Sequence, residues 1–459
     1  MALLKRKEVD MLHGNLLKNI ILFSIPVMLS GILQLLFNAC DLIVVGKFAG
    51  DGALAAVGST SALTSLIVNV FIGISIGANV CVAKAIGSRD KDKAEKTVHT
   101  AIVFSLIAGL TVMLIGIFGS NFFLRKLDTQ ADVLKDATKY LQIYFLGAIF
   151  NLVYNYGAAI LRAKGETQKP LEYLFIAGIT NVILNIIMVT VFNLDVEGVA
   201  IATVASQAIS AILVIRLLIK SDDYVHLDLK KLKVDGKSLK EMIYIGLPAG
   251  IQSSLFSISN VFIQKAVNSL GSTAIVAGNT ASSNLGGFIY TSMNSIYQAC
   301  ISFTSQNNGA KNYKRCKQVL YTCVLSVLVV GLGIGGIVVL LGEPLLGIYV
   351  TSNEALKQGF IRLRIVGTTY FLCGIADVIV GGMRGFGKSI APMVISIIGI
   401  CGFRIYWIYT AFAMNHSARV LYYSYPLSWF ITSIMNIVGY IIIYKAVTKP
   451  KDNLQLQEI

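Results

Sequence analysis

The chain has 459 residues, of which 55% are hydrophobic and 14% charged, and its mean hydropathy is +0.71. Soluble domains carry about 25% charged residues and lack long apolar runs, so a soluble enzyme, a disordered chain and a disulfide scaffold are excluded. The net charge of +15 would suggest nucleic acid in a soluble chain. Here its placement between apolar runs matters more, and no nucleic-acid partner is expected.

Apolar stretches separated by charged or Gly/Pro breaks fall near residues 16–46, 53–86, 94–122, 133–162, 169–193 and 196–219. They resume near 241–266, 272–306, 316–341, 355–384, 389–413 and 419–445. Each reaches the ~20 residues that a bilayer requires, which predicts an all-α polytopic membrane protein with twelve spans. After Lys5-Arg6-Lys7 the first apolar stretch is long and no small-residue cleavage site closes it, so the first helix is expected to persist in the mature protein. Counting the alternation of loops, 28 of the 39 Lys and Arg fall on the side of both termini. The positive-inside rule makes that side cytoplasmic, in a multi-pass protein of the cytoplasmic membrane.

The second half of the chain repeats the first. A shift of 222 residues overlays Pro26 on Pro248, Gly87 on Gly309, Arg162 on Arg384, Gly165 on Gly387 and Pro170 on Pro392. This divides the chain into an N-terminal six-helix lobe (1–219), a cytoplasmic linker (220–240), a C-terminal six-helix lobe (241–447) and a cytoplasmic tail (448–459). Six is even, so both lobes run the same way, and their pseudo-two-fold axis is expected along the membrane normal.

Polar groups inside spans are costly and mark candidate sites. Asp41 lies about 9 Å below the outer end of the first span, with Asn38 one turn beneath it on the same face. Asn181 and Asn185 share a face of the fifth span at i and i+4. Thr203 lies about 9 Å down the sixth. One carboxylate, two amides and a hydroxyl form an oxygen-rich set suited to Na⁺. The same carboxylate, desolvated, is instead suited to a proton. A structural hydrogen-bond knot between helices is the bland alternative. Under the 222-residue shift Asp41 meets Ile263 and Asn38 meets Asn260, so the second lobe does not copy this set. Its one intramembrane acid is Asp377, which either attracts cationic substrate or is paired structurally. Arg404 snorkels outward or faces a polar cleft. Pro26 and Pro248 each interrupt the first helix of a lobe and permit a bend there.

Taken in order, Pro26 with Gln34 and Asp41, Gly46-Lys-Phe-Ala-Gly50, Ala53-Leu-Ala-Ala56, Gly73-Ile-Ser-Ile-Gly77-Ala78 and the two Arg-x-x-Gly-x4-Pro strings resemble the multidrug and toxic compound extrusion (MATE) family. The resemblance spans the whole chain. It implies a V-shaped pair of six-helix bundles that exports organic cations against inward Na⁺ or H⁺ through a lipid bilayer, without a cofactor, as a monomer. Asp41, Asn38, Asn181, Asn185 and Thr203 are the cation-coupling candidates. Asp377, Gln34, Asn260 and Arg404 are the substrate-binding ones, and Pro26 and Pro248 the hinges. In the archaeal and DNA-damage-inducible branch of the family the matched positions of helices 1 and 5 both carry Asp; here Asn185 stands at the second. A lipid-linked flippase of the related superfamily is the rival reading; it would want clustered Arg or Lys inside the cleft.

No GxxxxGK[ST] loop, HExxH string or Ser-His-Asp set occurs, so no enzyme is expected. The seven cysteines have no CxxC spacing and read as free, mostly buried thiols.

Overall fold

The computed structural model describes residues 8–126 and 129–449, without the side chains at 49–51, 54, 55, 59, 61–63 and 65–67. Residues 450–459 of the expected tail, Lys5-Arg6-Lys7 and the side chains of Leu54 and Ala55 in the Ala-Leu-Ala-Ala string lie outside the described residues.

Every described element is helical. The first half contains α1 (Leu16–Val44), α2 (Gly50–Gly87), α3 (Lys91–Lys126), α4 (Leu134–Leu146), α5 (Ala148–Lys164), α6 (Gln168–Thr190) and α7 (Val196–Ile219). The second contains α8 (Gly236–Asn268), α9 (Thr273–Gly309), α10 (Tyr313–Leu340), the short α11 (Gly342–Gly347), α12 (Asn353–Arg362), α13 (Thr368–Gly385), α14 (Ile390–Ser396), α15 (Phe403–Trp407) and α16 (Ala418–Thr448). Wider π-helical turns extend α1 over Val45–Ala49, join α12 to α13 and α14 to α15, and follow α15.

Among the described residues ten helices or joined runs are long and apolar enough to cross a membrane, and eleven if α4 and α5, bent by 45°, count as one. The twelfth expected span corresponds to α9, which is 37 residues long but not among these. It carries many buried Ser, Thr, Asn and Gln, including Ser302, Thr304, Gln306 and Asn307, because protein rather than lipid surrounds it. Pro26 and Pro248 both lie inside continuous helices, α1 and α8. A sharp bend lies between α4 and α5, at Gly147.

The repeated Arg-x-x-Gly-x4-Pro string is a helix stop and restart. Arg162 and Arg384 stand in the last turns of α5 and α13. Gly165 (φ 103°) and Gly387 (φ 78°) then take the left-handed conformation that glycine adopts without strain. Pro170 and Pro392 lie in the first turns of α6 and α14, where a missing N–H costs nothing. Asp235 caps α8 by accepting from the Ser238 amide, so that helix starts at Gly236, inside the stretch expected to be linker.

The two halves meet in the part of the molecule that holds the termini. Small residues let α2 and α8 touch backbone to backbone: a Cβ on Gly73 would stand 2.2 Å from Gly250 Cα, and one on Gly246 2.5 Å from Ile74 Cα. Ser302 donates to Asn79 (3.1 Å), and Gln306 donates to the Ala163 carbonyl (2.7 Å). At the rim, Glu241 of α8 receives both Lys84 and Lys93, each at 3.0 Å. Away from this seam, in the other half of the first lobe, lies a cavity of about 490 Å³.

Candidate functional site

The cavity is walled by α1, α2, α4, α5, α6 and α7. Asp41, Asn38, Gln34, Asn181 and Thr203 all line it. Asn185, fully buried, lies behind them. Its Nδ2 donates to Asp41 Oδ1 at 2.5 Å and toward Asn181 Oδ1 at 3.3 Å. Asn181 in turn donates to Thr203 Oγ1 at 3.4 Å, and Thr203 donates to the Val199 carbonyl at 2.9 Å. One relay therefore links α1, α6 and α7 through residues distant in sequence. Asn185 sits one helical turn beyond Asn181, which is what puts both amides on the face toward α1.

Two features bear on what this relay can hold. No basic side chain forms an ion pair with Asp41 among the described residues, so its charge has no protein counterion. And Asn185 Oδ1 is buried without a hydrogen-bond partner, an acceptor that ordinarily does not go unused. A carboxylate, an unused amide oxygen and a hydroxyl oxygen thus lie along one relay that joins three helices. Such a set suits a small hard cation, and the carboxylate alone suits a proton.

Other polar lining comes from Thr60 and Asn69 on α2, Asn151 and Asn155 on α5, and Ser206 and Gln207 on α7. None was singled out from the sequence. The i, i+4 spacing of Asn151 and Asn155 and the run Thr203, Ser206, Gln207 and Ser210 on one helix face were the available signal. Tyr140 and Tyr144, stacked at 6.1 Å, supply an aromatic wall.

The four expected substrate-binding residues do not form one site. Gln34 belongs to the first-lobe cavity. Asn260 and Arg404 meet in the second lobe, where Arg404 Nη1 reaches Asn260 Oδ1 at 3.5 Å. Asp377 lies on α13 of the same lobe. Arg404 does not snorkel: it is 5% exposed, donates to Ser428 at 3.2 Å and lies over the Tyr425 ring at 4.2 Å. Arg384 is equally buried, bonded to the Tyr297 hydroxyl and, at 2.8 Å, to Gln252. All seven cysteines are free thiols.

Comparison with known proteins agrees with this architecture. The family model MatE matches residues 26–187 and again 248–410, the spacing of the internal repeat. The chain is 27% identical over 450 residues to "Probable multidrug resistance protein YoeA" of Bacillus subtilis (strain 168), covering 95% of each. It is 22% identical over 376 residues to "Multidrug export protein MepA" of Staphylococcus aureus (strain MSSA476), covering 82% of this chain and 83% of that one. In fold it matches a solved structure described as the outward-facing conformation of a multidrug resistance MATE family transporter of the MOP superfamily. The TM-score is 0.90 at 21% identity, over 97% of this chain and 99% of the other.

Proposed function

Because the chain belongs to the MatE family, we propose that this multidrug efflux transporter is an antiporter in which Asp41 exchanges an inward-moving Na⁺ or proton for an outward-moving organic cation. The observation that carries the reading is the unpaired carboxylate of Asp41, held by Asn185 in the wall of a cavity of about 490 Å³. That volume lies in the range of small-molecule sites. Gln34, Asn38, Tyr140 and Tyr144 share the cavity, which supports a single first-lobe compartment for the ion and an organic cation.

The chemistry of exchange follows from counting charge. One carboxylate neutralises one cation. Two unit charges about 4 Å apart repel by about 4 kcal/mol at an effective dielectric constant of 20, which weakens joint occupancy roughly a thousandfold. An arriving ion therefore expels a bound cation, and the reverse holds on the other side of the membrane. The closed seam near the termini blocks passage that way in this conformation. The bias of Lys and Arg supports a plasma-membrane protein with both termini in the cytoplasm, so the cavity would open outward.

The single carboxylate, the unused Asn185 Oδ1 and Thr203 Oγ1 favour Na⁺ over H⁺. The test is ethidium efflux from proteoliposomes under an imposed Na⁺ or pH gradient. Na⁺ at fixed pH should drive it, and Asp41→Asn should remove gradient-driven efflux. Uphill transport by Asp41→Asn would remove Asp41 from the mechanism, and transport that follows the pH gradient alone would assign the proton.

A further inference from the structure

The 222-residue repeat allows the first-lobe cavity to be compared with its counterpart position by position. Asn38, Thr60, Tyr140, Thr203, Ser206 and Gln207 line the cavity. Their equivalents are Asn260, Ser282, Arg362, Tyr425, Ser428 and Trp429. These six are gathered around two guanidinium groups. Arg362, at the end of α12, donates to Ser282 at 3.1 Å and lies 5.5 Å from the centre of the Tyr425 ring. Arg404 lies 4.2 Å from the same ring and 5.8 Å from that of Trp429, and reaches Ser428 and Asn260. The duplication has kept the framework and inverted the charge at these positions: the first-lobe cavity holds a carboxylate, its counterpart two arginines about one aromatic ring.

The charge of this cluster is not balanced. Arg362 and Arg404 are 6% and 5% exposed. Among the described residues neither forms an ion pair, and their partners are neutral hydroxyls, an amide and ring faces. Arg362 Nε is buried with no hydrogen-bond partner. A buried charge held only by neutral groups is costly, and two side by side repel each other. Each guanidinium presents five N–H groups, and neutral partners take few of them. The fork geometry of those that remain matches a carboxylate. Asn260, exposed on α8, stands at the edge of the cluster, so the charge can be approached from that helix. π-helical turns follow Arg362 directly and flank α15, which carries Arg404; such turns recur at functional sites.

We propose that Arg362 and Arg404, on either side of Tyr425, form a second-lobe binding site for the carboxylate of an organic anion or zwitterion, the charge-inverted counterpart of the Asp41 cavity. The proposal rests on the reading of the chain as an exporter of organic ions. Tyr425 and Trp429 offer faces to a flat ring system next to the carboxylate.

The probe is one xanthene dye in two forms, the free carboxylate and its methyl ester, which share shape and aromatic surface and differ in the acid. Equilibrium binding is read by fluorescence anisotropy on the full chain in detergent, without any gradient, so the result is independent of ion coupling and of Asp41→Asn. The wild type should bind the acid about tenfold or more tightly than the ester, since a charge-assisted pair is worth roughly 1.5–3 kcal/mol. Arg362→Gln and Arg404→Gln should each weaken the acid by about tenfold and leave the ester within about twofold. Arg404→Lys, which keeps the charge without the fork, should restore part of the acid affinity. The wild-type ratio needs no variant and stands even where a glutamine variant does not fold. Equal wild-type affinities overturn the proposal, as do equal losses of acid and ester in the variants. Binding of an anionic lipid headgroup, such as phosphatidylglycerol, without binding of the acid dye overturns it as well.

Discussion

Replacing Gly77 with alanine should push the two lobes apart at the end that carries the termini. An alanine Cβ there would stand 2.0 Å from the Met242 carbonyl oxygen and 3.0 Å from the Gly246 amide nitrogen, where Cβ contacts under 3.0 Å essentially never occur. Both obstacles are backbone, so no side chain can swing aside and α2 and α8 must separate by roughly 1 Å. Overpacking of this kind costs about 1–3 kcal/mol, which lowers the share of the closed seam roughly 5- to 150-fold against any open state. Helix propensity acts in the opposite direction, since alanine in place of glycine inside a helix is favourable by about 1 kcal/mol. The sign of the result therefore separates the two effects. Cys81, one turn further along α2 and 1% exposed, is a native reporter of the seam. Its reaction with a maleimide in detergent, followed by mass spectrometry, tracks the fraction of time the seam is open. We expect labelling several-fold to a hundredfold faster in Gly77→Ala. An unchanged or slower rate, with a raised Tm, would refute the backbone contact and leave only the propensity gain.

The same assay addresses the rim: Glu241→Gln loses both 3.0 Å contacts to Lys84 and Lys93, and partly exposed pairs worth at most about 1 kcal/mol each imply a few-fold faster labelling, smaller at high salt. Asp377→Asn should weaken detergent binding of ethidium more than that of a neutral compound if Asp377 serves substrate; equal losses would make it a packing or gating residue. In the connection between the lobes, Asp223 feels burial, which raises its pKa, but hydrogen bonds from Lys164 and the Val225 amide prevail and hold it below the usual carboxylate range. A lowered pKa gives stability that is full above the ordinary carboxylate value and lost as pH falls through the lowered one. Asp223→Asn should accordingly lower Tm at neutral pH and have no effect in strong acid; an equal drop at both would refute the charge argument.

The apolar runs alone determined the helices, because a segment crossing lipid must satisfy its backbone internally and the only local solution is a helix of about 20 residues. The repeat was legible for a similar reason: Gly165 and Gly387 need a left-handed backbone, and Pro170 and Pro392 tolerate only a first turn, so those positions resist drift. Asp41, Asn181, Asn185 and Thr203 stood out as polar groups where lipid penalises them, and the i, i+4 spacing put two on one face. Partnership was another matter. That Asn185 reaches across to Asp41, that Gln34 shares their cavity while Asn260 belongs to Arg404, and that Arg404 turns inward onto Tyr425 depend on which helix faces join. Periodicity gives a helix its faces but not its neighbours. Arg362 escaped notice because one arginine near the end of a span has a ready interfacial explanation; only the packing of α9, α12 and α16 buries it.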